Sequence, residues 1–343
     1  MTKFKEKKMG GFIPEKVKPL DREFGMASPI TQSMIFPSGN VKHFLPEGKE
    51  QVGVYFDDWG CVSHAILNAI KTYLKAVFPY LTDSELNFLS FRFMKDDKID
   101  FSHRDLVVLS GTIIGTGNWV SKVIETVKEI GVIPYDEGPW DFSNRDPKVN
   151  IPEVYFSYKR TDRAEKIAKE WKDRLCIETE WVHRNLLESA SKYGTIVLAV
   201  NAWYQNSNGE FYNPTGNHNH LVMLASYHDR EIFDSYKYDG SFIKKLSSWD
   251  DIRVWATKIN VIRKHMSKPQ ILNNTLVQLV TPDIPGSGQF GLYLDDRIML
   301  GDVGEVLGTF YVRNNGKTEG KTLTLEIDDW NKFDKVDMSG NKI

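Results

Sequence analysis

The chain has 343 residues, 41% of them hydrophobic, and carries 44 Lys and Arg against 46 Asp and Glu for a formal charge of −2. That length accommodates two domains of ordinary size and that apolar content builds a sizeable core, which excludes disorder as the whole account. Near-neutral charge supplies no global field for a nucleic-acid backbone or an acidic membrane, and apolar stretches such as 195–202 are far too short to span a bilayer.

Residues 1–50 are rich in Lys, Pro and Gly and keep no period of 3.6 or 2, so they are predicted as an extended arm laid over a domain. The charged start, Met1 to Met9, has no apolar signal core behind it. Together with only two cysteines, Cys61 and Cys176, whose spacing fits neither a disulfide framework nor a zinc site, it predicts a soluble chain in a reducing, cytoplasmic compartment.

Val62, Ala65, Ile66, Ala69, Ile70, Tyr73, Leu74 and Val77 then recur at the spacing of one buried helix face, with Cys61 in the first turn and Asp57 or Asp58 available as cap. A capping box at Thr82–Glu85 announces a second helix. A glycine-rich turn, Gly111 to Gly117, leads into a third, with Val120, Val123, Ile124, Val127 and Ile130 inward and Gly131 as its stop. Helices are also predicted over 162–175, capped by Asp162 and Glu165, and over about 180–193. From Thr195 the period becomes 2, and 195–201, 221–227 and 230–236 read as antiparallel strands. Beyond Lys264 short alternating runs at 276–280, 291–294, 306–312 and 322–327 predict a small β-rich appendage. The resulting division is an arm (1–50), a main domain (51–265) and an appendage (266–343).

A thiol at a helix N-terminus is where the free N–H groups and the helix dipole favour thiolate. Position alone is insufficient, since free cysteines are among the most buried residue types. The second observation is His220 at the head of an apolar strand, and the third is Asp234 on the next strand of the same hairpin, where cross-strand neighbours can meet. A carboxylate there accepts the imidazole N–H, fixes the tautomer and stabilises the imidazolium that a thiolate requires; an asparagine would meet the same orienting need. The run Asn217-His218-Asn219-His220 suggests a metal only superficially, because alternate strand residues face opposite ways and no third ligand is near. No metal and no cofactor are expected. His64, His103, His183 and His228 read as surface or helix-face residues, and Cys176 as a buried, inert thiol after a helix.

Five segments, in order, carry a resemblance to papain-like cysteine peptidases. Trp59-Gly60-Cys61-Val62-Ser63-His64-Ala65 resembles the nucleophile segment, and Leu81-Thr82-Asp83-Ser84-Glu85-Leu86 the start of the following helix. Gly115-Thr116-Gly117-Asn118-Trp119 is similar to the substrate-side glycine turn, Asn219-His220 with its apolar strand to the histidine strand, and Ile232-Phe233-Asp234-Ser235-Tyr236 to the orienter segment. The intervals from Cys61 to His220 and Asp234 slightly exceed the roughly 130–150 residues expected in this family. The departures are specific. Asp234 and Tyr236 stand where the family has Asn and Trp, Asp58 replaces a disulfide cysteine, and Tyr55 occupies the position of the oxyanion glutamine.

The resemblance implies an α+β, papain-like two-lobe fold, with a helical lobe bearing Cys61 and an antiparallel β lobe bearing His220 and Asp234. It also implies that an insertion within 52–58 returns Gln51 to the oxyanion, that Gly115 and Gly117 line the substrate, and that Tyr236 shields the orienter. The expected activity is hydrolysis of a polypeptide through a Cys-His-Asp triad and an acyl-enzyme. The alternatives are cleavage of peptidoglycan peptide, with the appendage on the cell wall, and a catalytically silent structural module of a virion. A protein neighbour is expected through the arm or the appendage, with no nucleic-acid or membrane partner, and the sequence looks like a microbial or bacteriophage member acting in host cytoplasm or virion.

Overall fold

The computed structural model describes residues 11–15, 23–24, 34–81, 83–95, 98–212, 219–249 and 255–263, and five short strands beyond them, so most of residues 1–33 of the expected arm lie outside the described residues. The arm contributes strand β1 (Gly11–Phe12), and farther along Phe24 N donates to Trp181 O at 2.7 Å and Val41 N to Ala225 O at 2.9 Å. By internal contacts the chain divides into Met1–Lys264 and His265–Ile343.

Helix α1 (Cys61–Val77) begins at the candidate thiol and is buried over nearly its whole length. Its cap is Gly60, without a side-chain hydrogen bond; Asp57 and Asp58 instead hold the preceding turn. Helix α2 (Asp83–Phe93) follows, with the capping Thr82 outside the described residues. A two-strand ribbon, β2 (Met94–Lys95) and β3 (Lys98–Ile99), leads to α3 (His103–Leu109), which is capped by Ser102. Strand β4 (Gly117–Asn118) then introduces α4 (Val120–Ile130), which ends at Gly131.

After α5 (Pro152–Phe156), helix α6 (Asp162–Arg174) is capped by Thr161, whose hydroxyl accepts from Ala164 N at 3.1 Å, rather than by the expected Asp162–Glu165 box. The helix expected over 180–193 is a second correction. Strand β5 (Leu175–Val182) occupies its first part and only α7 (Leu187–Ala190) is α-helical; Leu175 and Ile177 are buried in one core and Val182 in another on the opposite face, so no single face carries a strand period through β5. Cys176 therefore lies in a strand and is half-buried.

The remaining strands are β6 (Thr195–Val200), a small β7 (Tyr204–Gln205) and β8 (Phe211–Tyr212) ribbon, β9 (His220–Ser226), β10 (Glu231–Tyr238), β11 (Ser241–Lys245) and β12 (Trp255–Arg263). They form a six-stranded antiparallel sheet in the order β11-β10-β9-β6-β12-β5. Both faces are covered. Val197, Ala199, Leu221 and Met223 join the core that contains α1, while Ile196, Leu198, Val222 and Leu224 join a second core on the opposite face. This two-sided burial explains why β6 and β9 read as near-continuous apolar runs, and the class is α+β as expected.

In the second unit, β13 (Thr275–Leu279), β14 (Phe290–Leu294), β15 (Arg297–Met299) and β17 (Phe333–Lys335) form an antiparallel sheet, with β16 (Val312–Arg313) pairing with β14. The strand expected at 322–327, and all but the last residue of that at 306–312, lie outside the described residues. No helix among the described residues is long and apolar enough to cross a membrane.

Candidate active site

The site grows from the turn ahead of α1. Residues 52–57 make a small closed excursion, with Val52 bridging Asp57 and Gly53 N donating to Phe56 O at 2.8 Å, so Gln51 and Asp58 end up adjacent, Asp58 N on Gln51 O at 2.9 Å. Asp57 Oδ1 then takes Trp59 N at 2.7 Å and Asp58 Oδ1 takes Gly60 N at 2.7 Å. Trp59 has a φ of 51°, a conformation costly for a bulky side chain, and the two carboxylates holding the flanking N–H groups are what sustain it.

Cys61 starts α1, where the first-turn N–H groups lack intrahelical partners. Its sulfur accepts from the Leu221 backbone, immediately after His220, and has no exposed surface. Burial is the largest influence on the thiol and pushes its pKa well up; Asp57, Asp234 and Asp58 push the same way, and the Leu221 bond opposes them.

His220 and Asp234 come together across β9 and β10, both fully buried, with Nε2 2.6 Å from Oδ1. The other ring nitrogen, Nδ1, is buried without a hydrogen-bond partner. Asp234 also accepts from Tyr236 N at 3.2 Å on Oδ1, and from Trp203 Nε1 at 3.2 Å and Lys244 Nζ at 2.7 Å on Oδ2. Burial works against the ionised carboxyl, but Lys244 and His220 outweigh it and hold its pKa far below the usual carboxylate range.

Lys244 and Trp203 escaped the sequence reading. Lys244 pairs with Ile232 across the β10–β11 ladder, which puts it on the sheet face of Asp234, and it donates to Tyr236 O as well. Its neutral appearance as one of two adjacent lysines gave no signal. With Lys244 buried against Asp234, an asparagine at 234 would leave that ammonium uncompensated.

Tyr236 stands over His220, ring centroids 5.1 Å apart, and Trp203 meets the same ring edge-on at 6.3 Å, so one aromatic from β10 and one from the connection after β6 cover the imidazole. Gln51 is fully buried beside them. Its Nε2 donates to Asp57 Oδ1 at 3.0 Å and to the Tyr236 hydroxyl at 2.8 Å, and its Oε1 accepts from Ser235 Oγ. Tyr55 points elsewhere, donating to Arg145 O at 2.6 Å from an exposed position.

Gly115 and Gly117 shape a tight turn closed by Gly117 N on Ile113 O at 2.8 Å. Gly117 has a φ of 109°, and a β-carbon there would lie 2.0 Å from the Gly11 carbonyl carbon, because β1 of the arm runs parallel to β4. A β-carbon on Gly11 would in turn fall 2.9 Å from Cys61 Sγ and 2.7 Å from Trp59 O. The arm thus passes directly against the thiol. Phe12 N on Asn219 O at 3.4 Å, Ile13 N on Asn118 O at 2.8 Å, and Glu15 accepting from Ser121 N at 2.8 Å fasten it on both sides.

His64 and His103 lie on helices α1 and α3, the second of the two placements expected for them, and are buried and stacked at 4.5 Å. His64 Nε2 lies 3.0 Å from Asp58 Oδ2, which also accepts the Tyr155 hydroxyl at 2.9 Å. Asp58 is the hub of a buried polar cluster. His183 and His228 are exposed, and His218 lies outside the described residues.

No family model matches the sequence, and no curated protein is similar to it. Among solved structures the chain is similar to xylellain, a cysteine protease from Xylella fastidiosa, at 17% identity over 76% of this chain and 97% of that one, with a TM-score of 0.48. It is also similar to digestive procathepsin L 3 of Tenebrio molitor larval midgut, at 14% identity, 70% and 73% coverage and a TM-score of 0.40. A third such structure is the recombinant stem bromelain precursor, at 15%, 64% and 67%, and 0.39.

Proposed function

We propose that the chain is a cysteine peptidase of papain-like type, hydrolysing peptide bonds with Cys61 as nucleophile, His220 as base and acid, and Asp234 as its orienter. The observation that carries this reading is the buried His220–Asp234 bond, which leaves Nδ1 unpartnered beside the strand residue whose N–H meets the Cys61 sulfur. With Nε2 committed to Asp234, Nδ1 is the nitrogen able to take the thiol proton.

In that sequence of steps the thiolate attacks the carbonyl carbon, and the developing oxyanion meets the Cys61 N–H and Gln51, provided the Gln51 amide turns from Asp57 or Tyr236. His220 then passes its proton to the leaving amine, and water releases the acyl group. The glycine turn around Gly115 and Gly117 offers backbone to an extended substrate, on the side that β1 now occupies. The arm must therefore leave before substrate enters, and Cys61, with no exposed surface, is the covered form of the enzyme.

Hydrolysis of a fluorogenic peptide library tests the reading. Cys61→Ala and His220→Ala are each expected to abolish turnover while Cys176→Ala leaves it nearly intact, since only Cys61 has a helix N-terminus and a base. Equal loss from Cys176→Ala would overturn the assignment.

A further inference from the structure

We propose that Lys244 is the positioning residue that allows a carboxylate to orient His220, its ammonium offsetting the Asp234 charge so that the ring is held without being locked in its protonated form. The inference deepens the peptidase reading and rests on it for its catalytic meaning, but its geometry stands alone.

Three buried side chains are joined through Asp234. His220 Nε2 meets one oxygen of Asp234 at 2.6 Å, and Lys244 Nζ meets the other at 2.7 Å, with the Lys244 side chain only 3% exposed. An ammonium that far from water is costly unless paired and hydrogen-bonded, and this one is paired with Asp234 and donates to Tyr236 O as well. Phe211 lies under the same ammonium at 5.7 Å from its ring centroid.

Charge counting shows what this does. A thiolate, an imidazolium and an amide orienter sum to zero. Replacing the amide by a carboxylate leaves a net negative site, in which the imidazolium is over-stabilised and the thiolate repelled. Lys244 returns the sum to zero. Among the described residues, the other charged or titratable groups facing these atoms are Asp57 and Asp58 from the turn ahead of α1, Cys61 on α1 and Tyr236 on β10. None of them supplies a cation, so Lys244 is the compensating charge of this group.

The test follows His220 in the full chain by nuclear magnetic resonance, with histidine labelled at Cε1 and the signal assigned through His220→Ala. In Lys244→Met the His220 titration is expected to move up by about one pH unit or more, because a like charge has been removed from beside the imidazolium. In Asp234→Asn/Lys244→Met, which removes one charge of each sign, it returns toward the parent value. The basic limb of the kcat/KM profile moves the same way in each variant. An unchanged titration in Lys244→Met, or a double variant no closer to the parent than the single one, overturns the inference. Should Lys244→Met fail to fold, a folded double variant supports charge balance, and failure of both assigns Lys244 to packing and overturns it. A shifted titration with no hydrolysis by the parent protein removes the peptidase reading and leaves the role of Lys244 intact; hydrolysis with no shift does the reverse.

Discussion

Asp234 accepts four hydrogen bonds in a setting from which water is excluded, and one of its donors, Lys244, brings positive charge. Removing its charge therefore strands Lys244. Asp234→Asn is expected to lower stability by on the order of 3–5 kcal/mol, the cost of leaving one member of a buried pair unmatched, and urea unfolding checks it. A loss below about 1 kcal/mol would mean that Lys244 finds water or another acceptor. The pH sign follows from the depressed carboxyl: its contribution is fully present above the ordinary value near 3.9 and falls away only as pH drops below that. Residue identity alone pointed to Cys61, His220 and Asp234 because each sits at an element boundary or in a strand pattern that sequence displays. Lys244 was not legible, since Lys244 and Lys245 are alike in sequence and only the register with β10 buries one and exposes the other. Trp203 likewise reaches Asp234 from another part of the chain, a contact with no local periodic trace.

At the scale of elements, the apolar periods of α1, α4, β6 and β9 were readable because packing on both sides of the sheet leaves few polar interruptions. The failure at 180–193 has a local cause. The helical turn at Leu187–Ala190 casts its pattern backward over β5, whose Glu178, Thr179 and Glu180 dilute the strand alternation. The arm had no period at all, because its short strand draws its partners from β4 and the chain ahead of β9 instead of from a face of its own. What its sequence does contain is Gly11, where φ is 139° and no space exists for a side chain. Gly11→Val is accordingly expected to lift β1 from the thiol. Iodoacetamide should then modify Cys61 at least about tenfold faster than in the parent, the thiol regaining water and with it access to the thiolate form. Cys176, already half-buried in a strand away from this contact, serves as the internal control, and an equal acceleration at both thiols would indicate general loosening instead of arm release.

Across the first unit as a whole, the polar cluster beneath α1 couples pH to folding. His103 is buried, stacked on His64 and 3.4 Å from Lys71 Nζ; burial first, then the charges of Lys71 and His64, holds its pKa well below 6.5. The unfolded chain thus binds a proton below about 6.5 that the folded chain refuses, so stability rises with pH through that window and is lost as pH falls beneath it. Lys71 acts at the other end. Its pKa is lowered to about 8, chiefly by burial, so between that value and 10.5 the unfolded chain again holds the extra proton, and this group makes folding more favourable as pH climbs. Amide exchange of α1 reads the unit that contains the site without interference from the carboxy-terminal sheet. Its opening free energy is expected to rise between pH 5 and 7 by up to about 1.4 kcal/mol per pH unit for one proton, and His103→Gln, which cannot bind that proton, should flatten the rise. An unchanged slope in His103→Gln would move the linkage to another group in the unit.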